Sequence, residues 1–405
     1  MFNRSQTERP SRVDVLQLLA VLGLMIISVL FVYSATTASD PAGPLAWYKQ
    51  AAFRQIIWFA LGVGAAATVC FVDYHVLARW SFVAYWLTIL GLIIVLIPHI
   101  GSVRNGARRW FELGGFQFQP SEFAKLAFIL AMSNFLSRPV DELRQRHIFW
   151  KAIGLIVLPF LLIMKEPDLG SGLVLLPTGL AILYAAGTPK AYLLQLIGIC
   201  GILGMLFLID VLYAPPQFRI KMQDYQVRRL LVFFGRDYTD YGVTGGGEAE
   251  RRKLQEEQFK DSYNVKQAMI AVGSGGLTGT GWRQGQQNAL GFVPKAGKHN
   301  DFIFCVIAEE QGFLGSVVVL TLFSVILFTG IRIAGQARDR LGKLLAVGVV
   351  TLIFSHVFIN IGMNIRIMPV TGVPLPLVSY GGSSVLGSLI AMGLLQNVHI
   401  YRKAY

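Results

Sequence analysis

The residues best suited to chemistry lie in a few polar strings set against long apolar runs. One string, Gly273 to Glu310 (GSGGLTGTGWRQGQQNALGFVPKAGKHNDFIFCVIAEE), carries Asp301 where polar sequence gives way to the apolar run Phe302 to Ala308. A carboxylate at such a boundary is partly desolvated. Loss of water disfavours its charged form and raises its basicity, as a general base requires, while Lys298 and His299 beside it pull the other way. Asp is also a preferred helix N-cap, so a purely structural aspartate competes with the catalytic reading. Glu309 and Glu310, two turns further on, are expected to face a helical interior or to partner basic residues and are not taken as catalytic.

A second string, Arg104 to Lys125 (RNGARRWFELGGFQFQPSEFAK), combines interface aromatics (Trp110, Phe111, Phe116, Phe118) with arginines suited to phosphate. Pro120 marks a helix start, which puts Glu122 and Lys125 on one helical face at i, i+3. A snorkelling aromatic belt with a local ion pair explains the same residues without function, yet ionisable groups at the edge of a span are functional candidates. A third string, Asn360 to Ser384 (NIGMNIRIMPVTGVPLPLVSYGGSS), breaks any helix with Pro369, Pro374, Pro376, Gly381 and Gly382. Its Ser379, Tyr380, Ser383 and Ser384 suit either freed backbone groups or a polar ligand, so a re-entrant turn and a binding loop both fit. In KEPDLGSG (165–172), Asp168 is placed to cap the next helix. The histidines are scattered, and the chain has neither a phosphate-loop motif nor a GxSxG elbow.

The elements that must hold these strings are membrane spans. The chain has 405 residues, of which 54% are hydrophobic and 15% charged, and the charges cluster between apolar runs instead of alternating with them. Such runs have no polar face for water, which excludes a soluble enzyme. The net charge of +13 reflects cations at the ends of lipid-length segments and does not call for nucleic acid. Cys70, Cys200 and Cys305 show no metal-ligand spacing and read as small apolar residues. Ten spans of roughly 20 residues are expected, at about 14–35, 55–72, 78–98, 121–137, 149–164, 171–187, 190–213, 302–332, 342–364 and 383–400. The first is kept as a span and not as a signal peptide, for no small-residue cleavage site follows it. With the N-terminus in the cytoplasm, 15 lysines and arginines fall in inner segments and 7 in short outer loops, so both termini are placed inside. The polar segment 214–300 then becomes a large external loop, with a glycine hinge and charged helix at 245–258 and an ordered, surface-lying part from Asn264 to Asp301. The expected fold is thus an all-α polytopic membrane protein forming a single membrane domain over 1–405.

At four strings the chain resembles the SEDS family (shape, elongation, division, sporulation), the RodA/FtsW polytopic membrane proteins of bacteria. They are GARRW with FQPSEFAK (106–125), EPDLGSG (166–172), the block from GSGGLTGTGW to HNDFIF (273–304), and PVTGVPLPLVSYGGSS (369–384). The resemblance implies a peptidoglycan glycosyltransferase of the cytoplasmic membrane that polymerises lipid II on the outer face. It puts the family's essential aspartate on Asp301, as the base that deprotonates the acceptor 4-hydroxyl in an inverting transfer with undecaprenyl diphosphate as leaving group. Arg109 and Lys125 are expected to steady that leaving group. Glu122 is expected to fix Lys125 or, like Asp301, to hold a divalent cation (Mg or Mn). Trp282, Gln287, Lys298, His299, Arg366 and Ser379 complete the expected substrate contacts. No organic cofactor is implied. The implied partners are a class B penicillin-binding protein, with its helix near spans eight and nine, other elongation-complex proteins and membrane lipids, with no nucleic acid.

The sequence departs from the family pattern at Asn300, where Thr is commonest, at Lys295, where Glu is frequent, and in the stretch 237–258, which reads as an insertion. Short tails favour a RodA-type elongation enzyme over an FtsW-type septal one. A flippase would need charges in mid-span, where most spans have none, and a non-catalytic scaffold predicts that Asp301 can be neutralised without consequence.

Overall fold

The computed structural model describes residues 13–37, 47–104, 107–113, 116–213, 224–236, 248–290 and 300–402. Among them, eight helices are long and apolar enough to cross a membrane. In chain order the elements are α1 (Val15–Thr37), α2 (Ala51–Phe71), α3 (Tyr74–Arg79), α4 (Ser81–Leu96), β1 (Ser102–Arg104), β2 (Ala107–Leu113), β3 (Phe116–Phe118), α5 (Pro120–Leu136), α6 (Val140–Leu143), α7 (Arg146–Lys165), α8 (Leu169–Ala186) and α9 (Lys190–Tyr213). They continue with α10 (Asp224–Phe234), α11 (Glu248–Ser274), α12 (Gln286–Ala289), α13 (Ile303–Gln336), α14 (Arg340–Asn364) and α15 (Gly382–Tyr401). The expected spans at 78–98 and 121–137 correspond to α4 and α5, which have 16 and 17 residues. Most of α5 is buried, so it is enclosed by protein instead of lipid.

Burial separates the centre of the bundle from its rim. The apolar window of α15 is 78% buried and that of α14 is 67% buried, whereas α9 is 6% buried and turns its leucines and isoleucines to lipid. Helix ends follow local chemistry. Pro120 opens α5, the Asp168 side chain accepts from Ser171 N–H at the start of α8, and Asp339 accepts from Gly342 N–H at the start of α14. Between α4 and α5, the strands 102–104, 107–113 and 116–118 form a three-stranded antiparallel sheet in the order β1-β2-β3, pairing Val103 with Arg108 and Phe111 with Phe118. The interface aromatics and phosphate-suited arginines expected in this string are thus carried on a small sheet.

The expected span 302–332 is not one continuous helix. At Gly312 the backbone takes φ 63° and ψ −157°, which splits α13 into a half-helix (303–311) and a longer lower part (313–336). Backbone groups freed by the break must find partners at membrane depth. The turn 275–281 supplies them. Thr280 and Gly281 donate to the Glu309 and Glu310 carbonyls at 3.0 Å each, and Phe313 and Leu314 donate to the Gly276 and Leu277 carbonyls at 2.9 and 3.1 Å. A Cβ at Gly279 would lie 2.2 Å from the Glu310 carbonyl oxygen, so only glycine closes this joint. The segment 264–290 therefore differs from the expected surface layer: α11 runs through to Ser274 and buries Ala268 and Ala271, and the glycine turn plugs the helix break.

A second close approach draws two of the sequence strings together. A Cβ at Gly170 would lie 2.4 Å from Val373 Cγ2 and 2.9 Å from the Thr371 carbonyl oxygen, so EPDLGSG packs directly on the loop 369–376. Gly170→Val is expected to cost about 1–3 kcal/mol by overpacking, read as a lower midpoint of thermal unfolding in detergent.

Candidate active site

Asp301 stands just before the half-helix of α13, held by its backbone. Its carbonyl accepts from Asn360 Nδ2 at 3.0 Å and Asn364 Nδ2 at 3.2 Å, and Asn360 Nδ2 also donates to the Val373 carbonyl at 2.7 Å. The carboxylate is thereby left for other work. It borders Gly372: a Cβ built there would lie 3.5 Å from Asp301 Oδ2 and 3.8 Å from Arg229 Nη1. Burial pushes the Asp301 carboxyl up to about 6. The Arg229 charge opposes that rise, Asp168 adds to it and Arg109 opposes it.

Arg229 was not singled out from the sequence. It rides on α10, whose Val227 and Leu231 are buried in a small cluster with Val211 of α9. Position 229 falls between these apolar positions and so lies on the other face of the helix, towards Asp301. The string DYQVRRLLVFF carried this amphipathic signal inside the segment expected to form a large external loop.

Arg109 on β2 anchors the third wall. Its Nε donates to the Glu166 carbonyl at 3.0 Å, its Nη2 donates to the Pro167 carbonyl, and its Nη1 lies 3.8 Å from Asp168 Oδ1. Asp168 also accepts from Gln119 Nε2 at 3.0 Å, tying β3 and α5 to the start of α8. Glu166 is fully buried, and neither carboxylate oxygen has a hydrogen-bond partner among the described residues. Burial first, then the Asp168 charge, pushes its carboxyl up to about 9 against the pull of Arg109, so it is neutral at physiological pH. Two acids of this site are therefore poised differently, one neutral and one ionising near pH 6.

Ser379 holds backbone in place. Its Oγ donates to the Asn300 carbonyl at 2.6 Å and accepts from Leu375 N–H at 2.8 Å, so the loop 369–384 is pinned next to Asp301. Gln287 and Trp282 lie on the segment that plugs α13. Gln287 N–H donates to Glu309 Oε1 at 2.6 Å, and Trp282 stacks with Tyr33 at 6.2 Å between centroids. Arg366 is exposed in a left-handed turn (φ 60°) after α14. Lys298 and His299 lie outside the described residues, as does Lys295.

Glu122 and Lys125 pair as expected from their i, i+3 spacing, but inside the bundle. Lys125 Nζ donates to Glu122 Oε1 at 2.8 Å and lies 3.0 Å from His356 Nε2. Lysine has only protons to give, so His356 accepts at Nε2. All three side chains are buried inside the bundle, and His356 is bonded in turn to the backbone at Pro374. Lys125 is thus committed to internal partners. Among the described residues, Arg229 and Arg109 are cations whose charges act on Asp301.

A divalent cation fits these residues poorly. Among the described residues no group of three or more His, Cys, Asp or Glu side chains could hold one, the Arg229 charge acts on Asp301, and Glu122 is paired with Lys125.

The profile of the cell cycle protein family that joins FtsW, RodA and SpoVE matches residues 14–404. Stage V sporulation protein E of Bacillus subtilis is 35% identical over 401 residues, spanning 98% of this chain and all of that protein. Peptidoglycan glycosyltransferase MrdB of Escherichia coli is 33% identical over 382 residues, 94% of this chain and 93% of the relative. Among solved structures, a chain of a peptidoglycan synthase complex that coordinates polymerization and crosslinking superposes with a TM-score of 0.73 at 26% identity, covering 97% of this chain and 99% of that one. From the span pattern, the four motifs and these likenesses, the chain is a multi-pass inner-membrane protein that belongs to the SEDS family of FtsW, RodA and SpoVE.

Proposed function

We propose that this peptidoglycan glycosyltransferase polymerises lipid II with Asp301 as general base. The observation that carries the reading is one carboxylate with its backbone pinned by Asn360 and Asn364, its side chain bordering the 369–384 loop, and two arginines within electrostatic reach. Asp301 takes the proton from the 4-hydroxyl of the acceptor sugar. The new O4–C1 bond forms on the face opposite the leaving group while the C1–O bond to phosphate breaks, so the configuration inverts. Undecaprenyl diphosphate departs as an anion that needs charge stabilisation more than a proton, and Arg229 and Arg109 supply it. Neutral Glu166 adds no repulsion to that anion.

The pH profile tests this assignment. Arg229 lowers the Asp301 pKa, so Arg229→Gln is expected to move the acid limb of kcat/KM for lipid II polymerisation to higher pH. An unmoved limb would detach Arg229 from the base.

The finer role we assign is side-wall elongation together with a class B penicillin-binding transpeptidase. Exposed Phe354 and Phe358, stacked on one another along α14, offer an apolar face for its single transmembrane helix. Rounded cells on depletion support elongation, and filaments would assign the protein to division.

A further inference from the structure

A cavity of about 410 Å³ lies between α1 and the break in α13. Ile27 and Phe31 form one side, Ile307 and Val318 the other, and Gln311 is its polar point. Trp282 also lines it. Ile307 belongs to the half-helix that Asp301 precedes, so this wall of the cavity lies six residues, about two helical turns, from the proposed base. Leu30 and Val318 are exposed on the outer surface of the bundle, so the cavity opens sideways into lipid.

The mouth is charged where the interior is apolar. Arg283 follows Trp282 and lays its guanidinium over the Tyr33 ring, 5.4 Å from the centroid, while Tyr33 stacks on Trp282. Arg283 takes φ 62°, a strained conformation for a side chain of this size, and its N–H donates to Glu310 Oε2 at 3.0 Å. Glu310 in turn accepts from Ser34 Oγ on α1. A buried carboxylate thus fixes the backbone that aims this arginine. The Arg283 charge also acts on the Glu310 carboxylate, and the Tyr33 ring supports the guanidinium from one side, an aromatic and basic pairing of the kind that suits a membrane interface.

We propose that this cavity seats the first isoprenoid units of a polyprenyl diphosphate lipid, with Arg283 meeting its phosphates and Trp282 covering the chain. The proposal rests on the reading of the chain as a transferase of polyprenyl-linked sugars and adds where the prenyl chain lies. An apolar slot with a lateral opening suits a flexible hydrocarbon. One forked cation at its mouth suits a phosphate better than a neutral or zwitterionic head.

The test uses the full chain in nanodiscs and a long-chain polyprenyl diphosphate that carries a diazirine on its first isoprene units. Irradiation is expected to label the peptides bearing Ile27 to Phe31 and Ile307 to Val318. Arg283→Asn, which tolerates the left-handed backbone, is expected to reduce labelling about tenfold, as for loss of one hydrogen bond to a charged group. Val318→Trp fills the slot from its lipid-facing side and is expected to reduce labelling with Arg283 intact. Unlabelled polyprenyl diphosphate should compete, and phosphatidylglycerol should not. Labelling elsewhere, equal competition by phosphatidylglycerol, or unchanged labelling in both variants would overturn the proposal. Polymerisation of lipid II is measured on the same samples. Labelled protein that makes no glycan would sink the enzymatic reading alone, and active protein without this label would sink the site alone.

Discussion

Asp301→Asn is expected to lower the rate of glycan polymerisation from lipid II by about a hundred- to ten-thousand-fold, the range for loss of a positioned general base. The fold should survive, for Asn360 and Asn364 bind the backbone carbonyl of residue 301 and not its side chain. The wild type has its own signature in pH. The base must be ionised, and its pKa lies near 6, so kcat/KM should fall about tenfold per unit as pH drops below that value and level off above it. Stability runs the other way. A carboxyl raised by burial costs the folded state nothing when protonated, and the cost of ionising it sets in as pH rises from 3.8 and is full above about 6. The Asn variant escapes that cost and should unfold at an equal or higher temperature than wild type above pH 7. A variant that is folded and fully active would remove Asp301 from the mechanism.

The largest effect on stability is expected at the buried trio of Glu122, Lys125 and His356. Lys125→Met strands the Glu122 carboxylate in the bundle without its 2.8 Å partner, which should cost about 3–5 kcal/mol. Glu122→Gln strands the ammonium instead and should cost a similar amount. The double variant carries neither charge and should recover most of the loss, because a buried ion pair contributes little net stability over a neutral replacement. Thermal unfolding in detergent reads all three. A double variant no more stable than the singles would contradict a paired role. Glycan synthesis by the recovered double variant then separates the two uses of the lysine: activity marks a purely internal role, and a folded but inactive protein returns Lys125 to the leaving group.

What the sequence could disclose depended on the range of the signal. Lipid-length apolar runs are local, so most spans fall close to their expected positions, and Asp301 was visible because it marks a sharp change from polar to apolar sequence. The break at Gly312 was hidden. The sequence from Phe302 to Val319 is apolar on both sides of a short patch, Glu309 to Gly312, that a continuous span could also carry, and only the hydrogen-bond partners offered by residues 275–281 reveal that the helix stops there. Lys125 and His356 are 231 positions apart, and nothing local to either string announces their contact. Arg229 depended on α10 folding back on α9, a tertiary event within a long polar segment that gave no local sign of it. Glu166 lay inside a motif that drew attention to its neighbour Asp168, and its neutrality follows from burial alone.

The interrupted helix uncouples reaction chemistry from bilayer thickness. An unbroken rod of 34 residues would run about 51 Å, well beyond a hydrocarbon slab of roughly 30 Å, so any adjustment to a thinner or thicker membrane would swing its upper end. With the rod cut at Gly312, residues 313–336 can tilt to suit the acyl chains by themselves. The upper nine residues stay fastened through Glu309 and Glu310 to the plug and through Asn360 and Asn364 to α14. The carboxylate then keeps its height relative to the sugars while the anchor beneath it leans, and turnover should be indifferent to whether the surrounding lipids have short or long tails.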